Sequence, residues 1–344
     1  MKSSNDGFNI ELKEEFSKDV YSLEDKDNSF CVFKSINEIL FLVYSKIDFS
    51  IIFYNMINGI KVVEIKKAHD SYIIEFRHYL DNINNNKRDL VLSISYNNRN
   101  IKIWDFNNAE CIFNIYPYSK GIINSACFLY DNNLKEILIV TSNYFNEDNF
   151  KQDESIKIFN LKGEELNEIN DSEENTISID SFYDNKYNKN YIIAANKYSV
   201  ISYDYEKNKI YHTYIQQAFL YDCSSFFIYN KTRNIGDILK LIYSTGDGMV
   251  KIWDFHSGNF LQQIKISEGY IFSICLLDDK YLFSCGKNYN KDIIKLEDEQ
   301  SNLKIIHING EITVKIIEHP NYGKCLITKN LPSDGPLKLW KINI

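Results

Sequence analysis

The residue types that can do chemistry are all present in this chain, but they are scattered. Six histidines occur with no H-E-x-x-H spacing, and there is no G-x-S-x-G elbow. Gly246-Asp247-Gly248 is the one glycine cluster. It lies between strand-like runs and precedes no helical pattern, so it predicts a tight turn and no phosphate cradle. The seven cysteines (Cys31, Cys111, Cys127, Cys223, Cys275, Cys285, Cys325) form no C-x-x-C pair and sit mostly inside apolar runs. That pattern predicts reduced, buried thiols and no disulfide framework. Carboxylates cluster at Asp171–Glu174 and Glu297–Glu299, but their polar neighbours leave them solvated and ordinary. The expectation is therefore no catalytic residue, no cofactor and no metal ligand.

The elements around these residues are strands. Of 344 residues, 44% are hydrophobic and 25% charged, ordinary for a globular chain, and the net charge of −8 disfavours nucleic acid as a direct partner. The longest apolar run, Ile39–Tyr44, is far too short to span a membrane, and the opening MKSSNDGFNIELKEEF contains no apolar signal segment. A cytoplasmic or nuclear location is expected.

Self-similarity decides the fold. IKIWDF at Ile101 returns as VKIWDF at Val250 and LKLWKI at Leu337. Weaker copies are SIIFYNM at Ser50, SIKIFNL at Ser155, SVISYDYE at Ser199 and NLKIIHI at Asn302. The large apolar residue of each copy falls at Tyr54, Trp104, Phe159, Tyr203, Trp253, Ile306 and Trp340, with spacings of 50, 55, 44, 50, 53 and 34. Every copy alternates like a strand, two strand-like runs precede it, and another follows most of them. Four short strands repeated seven times predict an all-β, seven-bladed β-propeller of four-stranded antiparallel blades. The repeats fall at about 29–65, 70–115, 120–170, 175–215, 219–266, 270–311 and 312–344 of a single domain.

The Trp104-Asp105 and Trp253-Asp254 dipeptides, and Trp340 followed by Lys341, make the chain resemble the WD-repeat family, as a degenerate member. The resemblance implies a bracing set of His69, a strand serine (Ser93 or Ser95) and Trp104, with Asn98 where the family usually has Asp. In the fifth repeat Asp247 and Trp253 remain without a histidine. It also implies that the N-terminal run at about 8–16 supplies the outer strand the last repeat lacks, closing the ring and removing an open edge.

Function follows from the same resemblance. The loops before the first strand and between the second and third would share one face, the top, and the expected role is a non-enzymatic scaffold or adaptor. A protein or peptide would dock there on Tyr72, Phe219 and Tyr270, with Tyr116, Tyr118, Tyr144 and Tyr198 as further candidates, because Tyr gives contact area at low entropy cost. The top inserts 143–154 and 286–301 and residues Asp171, Glu173 and Glu174 are acidic, which favours basic partners. The bottom receives Lys87, Arg88, Lys186, Lys189, Lys231 and Arg233, the basis of an alternative role as an RNA-associated assembly component. A propeller enzyme with a pocket at the pore is the remaining alternative. The expected state is a monomer or a subunit of a larger complex.

Overall fold

The computed structural model describes residues 11–19, 30–46, 48–83, 87–97, 99–118, 122–144, 155–170, 176–196, 199–215, 223–229, 238–278, 280–286, 293–298, 303–330 and 336–343. The period-two runs form strands throughout. The first, Glu11–Asp19 (β1), belongs to the last sheet. Sheet one is Phe30–Lys34 (β2), Leu40–Ser45 (β3), Ile51–Asn55 (β4) and Ile60–Ile65 (β5). Sheet two is Ile73–Asp81 (β6), Arg88–Ser95 (β7), Ile101–Asp105 (β8) and Glu110–Ile115 (β9). Sheet three is Ile122–Asp131 (β10), Glu136–Tyr144 (β11), Ile156–Asn160 (β12) and Glu165–Ile169 (β13). Sheet four is Thr176–Asp184 (β14), Lys189–Asn196 (β15), Val200–Asp204 (β16) and Lys209–Tyr214 (β17). Sheet five is Cys223–Tyr229 (β18), Lys240–Thr245 (β19), Met249–Asp254 (β20) and Phe260–Lys265 (β21).

Seven four-stranded sheets in sequence make this a seven-bladed β-propeller. Two compact units divide the chain: residues 20–196 with 201–211, and residues 1–19, 197–200 and 212–344. In the first unit, apolar clusters fill the spaces between consecutive sheets. Val43, Phe53, Phe76 and Val91 lie between sheets one and two, Leu92, Ile103, Ile123 and Ile139 between two and three, and Val140, Ile158, Ile179 and Ile192 between three and four. In the second unit, Ile242, Ile252, Ile274 and Leu282 pack between sheets five and six. Each fully buried aliphatic side chain contributes about 1.5–3 kcal/mol, so face-to-face stacking is what makes an individually marginal sheet stable.

Sheet six departs from the expected antiparallel blade. It comprises Ile271–Leu277 (β22), Tyr281–Gly286 (β23), Ile293–Asp298 (β24) and Leu303–Asn309 (β25), in the order β22-β23-β25-β24. β25 pairs parallel with β23, and β24 lies outside it, antiparallel. The outer strand is thus made before the third one, from within the 286–301 segment. This explains the short 34-residue spacing between Ile306 and Trp340, because no outer strand intervenes. The chain instead turns at Gly310 (φ 79°), whose N–H donates to the Gly286 carbonyl at 3.0 Å, and enters the next sheet directly.

Sheet seven contains Glu311–His319 (β26), Gly323–Asn330 (β27) and Pro336–Asn343 (β28), and β1 completes it. β1 pairs antiparallel with β28 from Glu11↔Asn343 to Asp19↔Pro336, with a bulge between Glu14 and Phe16. The pairing extends three residues beyond the predicted 8–16 run, and residues 8–10 lie outside the described residues. First and last strands therefore share one sheet, which covers the edge that β28 would otherwise expose.

Candidate partner-binding surface and the residues that brace it

Antiparallel order places the segment before each first strand and the link between second and third strands at one end of a sheet, here the top. In sheet two that end is tied by a hydrogen-bonded chain. The Trp104 indole N–H donates to Ser93 Oγ at 2.8 Å, and Ser93 Oγ lies 2.7 Å from His69 Nε2. His69 Nδ1 lies 3.1 Å from Asn100 Oδ1, whose amide donates on to Asn114 Oδ1 at 3.0 Å. Because Asn100 Oδ1 only accepts, Nδ1 carries the proton, and Nε2 accepts from the serine hydroxyl. Burial, reinforced by Lys102, holds the His69 pKa down to about 4 against the opposing Asn100 bond. The serine is therefore Ser93, not Ser95, and the histidine's partner is Asn100. Asn98 lies outside the described residues.

The register reveals the rule behind this brace. Ser93 stands two residues beyond Val91, the cross-strand partner of Trp104. The same position is Thr141 in sheet three, Thr328 in sheet seven and Tyr243 in sheet five. In sheet seven the Trp340 indole donates to Thr328 Oγ1 at 2.7 Å. In sheet three Tyr118 takes the part of His69. Its hydroxyl lies 2.9 Å from the carbonyls of Thr141 and Ser155 and 3.0 Å from Thr141 Oγ1, and burial raises its pKa. Sheet six has its own version, Ser284 Oγ at 2.9 Å from His307 Nδ1.

The Asp of the repeated signature has a local role. Asp105 Oδ1 accepts from the N–H groups of Asn107 (3.0 Å) and Asn108, and Asp254 Oδ1 accepts from His256 (3.0 Å) and Ser257. Asn55, Asn160 and Asp204 cap the equivalent turns, so any short acceptor side chain serves. Asp247 accepts from the Thr245 hydroxyl and shapes the turn through Gly248 (φ 80°). A Cβ at Gly248 would lie 2.0 Å from the Ser267 carbonyl oxygen, so glycine is obligatory there.

The predicted docking aromatics divide. Tyr116 is 63% exposed and Tyr270 is 47% exposed, each just outside a strand end. Tyr72 is half-buried, edge-on to Phe49 with ring centroids 5.3 Å apart, and Phe49 is a neighbour that sequence reading missed. Tyr118 is corrected: it is 4% exposed and cannot meet a partner, because it is the bracing residue of sheet three. Phe219 and Tyr198 lie outside the described residues, as does the Tyr144 side chain.

No family model matches this chain, and no curated protein matches it either. The geometry therefore carries the functional reading alone.

The charge expectations also divide. Glu147, Asp148, Asp153, Glu154, Asp171, Glu173, Glu174, Asp292 and Glu299 lie outside the described residues. Glu297 and Asp298, expected at the top, end β24 opposite Lys304 and Leu303, and Lys304 in turn lies beside Tyr281 at the start of β23. That is the bottom end, reached because β24 runs away from the top. Of the bottom cations, Arg88 is tied to buried Asp81 at 2.8 Å and Lys189 to buried Asp204 at 2.8 Å. Lys87 and Lys186 are exposed, and Lys231 and Arg233 lie outside the described residues.

A second polar cluster joins the first strands of sheets two to four. Arg77 bonds Glu75 at 2.7 Å and approaches Asp180 at 3.8 Å, while Glu75 accepts from the Ala126 N–H at 3.1 Å. Burial opposes the Arg77 charge, but Glu75 and Asp180 outweigh it and raise its pKa. Nearby Cys127 has its pKa pushed well up by burial, so it stays a thiol and a poor nucleophile. Among the described residues no group of three or more His, Cys, Asp or Glu could hold a metal ion.

Proposed function

We propose that the protein is a non-enzymatic scaffold of the WD-repeat type that binds a protein or peptide at the top ends of its blades. Tyr116 and Tyr72 anchor the partner in one unit, and Tyr270 holds the corresponding position in the other. The observation that carries this reading is the contrast between Tyr116 and Tyr118. Two residues apart, one braces the blade from inside and the other is 63% exposed. An exposed tyrosine offers large contact area at low entropy cost, which suits an interface anchor.

The titratable groups support binding over catalysis. His69 and Tyr118 are consumed by internal hydrogen bonds, and Cys127, Cys275 and Cys285 are held as thiols by burial. Pairing of Arg88 and Lys189 with buried carboxylates weakens the RNA alternative, which needs uncommitted cations. A cytoplasmic or nuclear setting and a partner with basic character complete the proposal.

Affinity capture with the wild-type chain and a Tyr72→Ala/Tyr116→Ala/Tyr270→Ala variant tests it. All three residues are partly or largely exposed, so the variant should fold, and it should lose the partners the wild type retains. Identical partner sets would refute the top-face assignment.

A further inference from the structure

The outer strand of sheet one, β5, is the edge of its sheet, and no described strand pairs with its far side. Such an edge leaves a row of backbone N–H and C=O groups open to pairing with another chain. Ile60, Val62, Val63 and Ile65 make four of its six residues β-branched and aliphatic, the composition of a strand that pairs well. Ile60 is 57% exposed and Val62 is 51% exposed, so much of that apolar surface faces solvent.

The register decides the occupant. β4 pairs with β5 at Phe53↔Val63 and Tyr54↔Lys61, so Val62 is a bulge residue that the ladder skips. Counted that way, the edge reads Ile60, Lys61, Val63, Glu64, Ile65, which puts Lys61 and Glu64 on one face. Their ion pair at 2.5 Å agrees with that placement, while Val63 and Ile65 pack the other way, on the apolar cluster between sheets one and two. The run is self-complementary about Val63. A second copy, turned antiparallel by a two-fold axis through that residue, sets Ile60 against Ile65, Lys61 against Glu64 and Val63 against itself. The outer strands of sheets two, three and five carry the same bulge, at Ile112, Leu166 and Leu261. The residues equivalent to Lys61 and Glu64 are there Cys111 and Asn114, Glu165 and Glu168, and Phe260 and Gln263. Of these four edges β5 alone opposes unlike charges, and the edge of sheet three would oppose two carboxylates. A lysine or a bulge usually guards an edge against pairing. On β5 the incoming strand brings a carboxylate to the lysine.

We propose that β5 is a self-association edge. Two copies of the chain pair antiparallel through β5, centred on Val63, and their two four-stranded sheets become one sheet of eight strands. Each Lys61 then faces the partner's Glu64, and each Ile60 covers the partner's Ile65. Five paired residues a side make a small interface, so the dimer is weak and depends on concentration. The contact rests on β5 alone and is independent of the top-face reading.

Sedimentation velocity on the full chain, over concentrations from about 1 to 500 μM, tests this. A monomer–dimer equilibrium is expected with Kd on the order of 10–100 μM. Lys61→Glu and Glu64→Lys each set like charges opposite one another at both ends of the pairing, so either variant alone should dimerise at least about tenfold more weakly. Mixed in equal amounts, the two variants again oppose unlike charges at both ends and should associate like wild type. Each variant loses only surface ion pairing, so its melting temperature should hold. The triple tyrosine-to-alanine variant should dimerise like wild type, which separates failure here from failure of the top-face reading. The proposal is overturned by a chain that stays monomeric throughout, by single variants that dimerise like wild type, or by a mixture no tighter than its components. Loss of the dimer in the tyrosine variant would overturn it by moving the contact to the top face.

Discussion

Sheets two and five carry nearly the same signature, IKIWDF and VKIWDF, yet they brace it differently. Trp104 and Trp253 are almost equally buried, at 4% and 5% exposure. Trp104 donates into a chain of four further polar side chains, whereas among the described residues the Trp253 indole nitrogen has no hydrogen-bond partner. Trp253 is held instead by aromatic edges, Tyr214 at 5.8 Å and Phe260 at 5.1 Å, both at 71°. The cause lies one strand away: the acceptor position beyond the tryptophan's cross-strand partner is Ser93 in one sheet and Tyr243 in the other. The repeated signature therefore supplies the donor and the turn cap, while the neighbouring strand decides whether the blade is locked by polar bonds or by packing.

The largest effect should come from removing the acceptor in sheet two. Ser93→Ala leaves the Trp104 N–H and His69 Nε2 buried without a partner, and each orphaned group costs about 1–3 kcal/mol. A loss of about 3 kcal/mol in denaturant unfolding is expected. A loss below about 1 kcal/mol would mean the chain contributes no more than the packing of sheet five does.

Acid should expose the same difference. The folded pKa of His69 is about 4, below the ordinary value of 6.5, so the unfolded chain takes up the proton first as pH falls. Stability is complete above about pH 6.5 and drains between there and about pH 4. From pH 7.5 to pH 5 this histidine alone should remove about 2 kcal/mol. His78, whose pKa burial also lowers despite its 2.8 Å bond to Asp89, adds a contribution of the same sign. A His69→Gln variant should show a correspondingly flatter stability profile between those pH values. An unchanged slope would remove His69 from the account.

The sequence makes the seven blades legible because their signal is local: alternation, a large apolar residue and an Asx cap recur within each copy. Strand order in sheet six was hidden because parallel pairing of β23 with β25 is a long-range choice. The 34-residue spacing before Trp340 was nevertheless its trace. Tyr118 is the same residue type as its exposed neighbour Tyr116, two positions away, so residue type alone does not separate the bracing tyrosine from the exposed one. The available signal was position, since both His69 and Tyr118 stand four residues ahead of their first strand.

The smallest predicted effect isolates the polar bond itself. Trp→Phe at either site removes similar buried volume and creates a similar cavity, so the packing loss should nearly cancel between the two variants. At Trp104 the change also strips Ser93 of its donor, whereas at Trp253 it deletes a buried N–H that has no partner among the described residues. Trp104→Phe should therefore cost about 1–2 kcal/mol more than Trp253→Phe, read as the difference between two denaturation midpoints. Equal costs would show that Ser93 and His69 hold each other without the indole. A larger cost at Trp253 would show that aromatic edges brace a blade better than the hydrogen-bonded chain does.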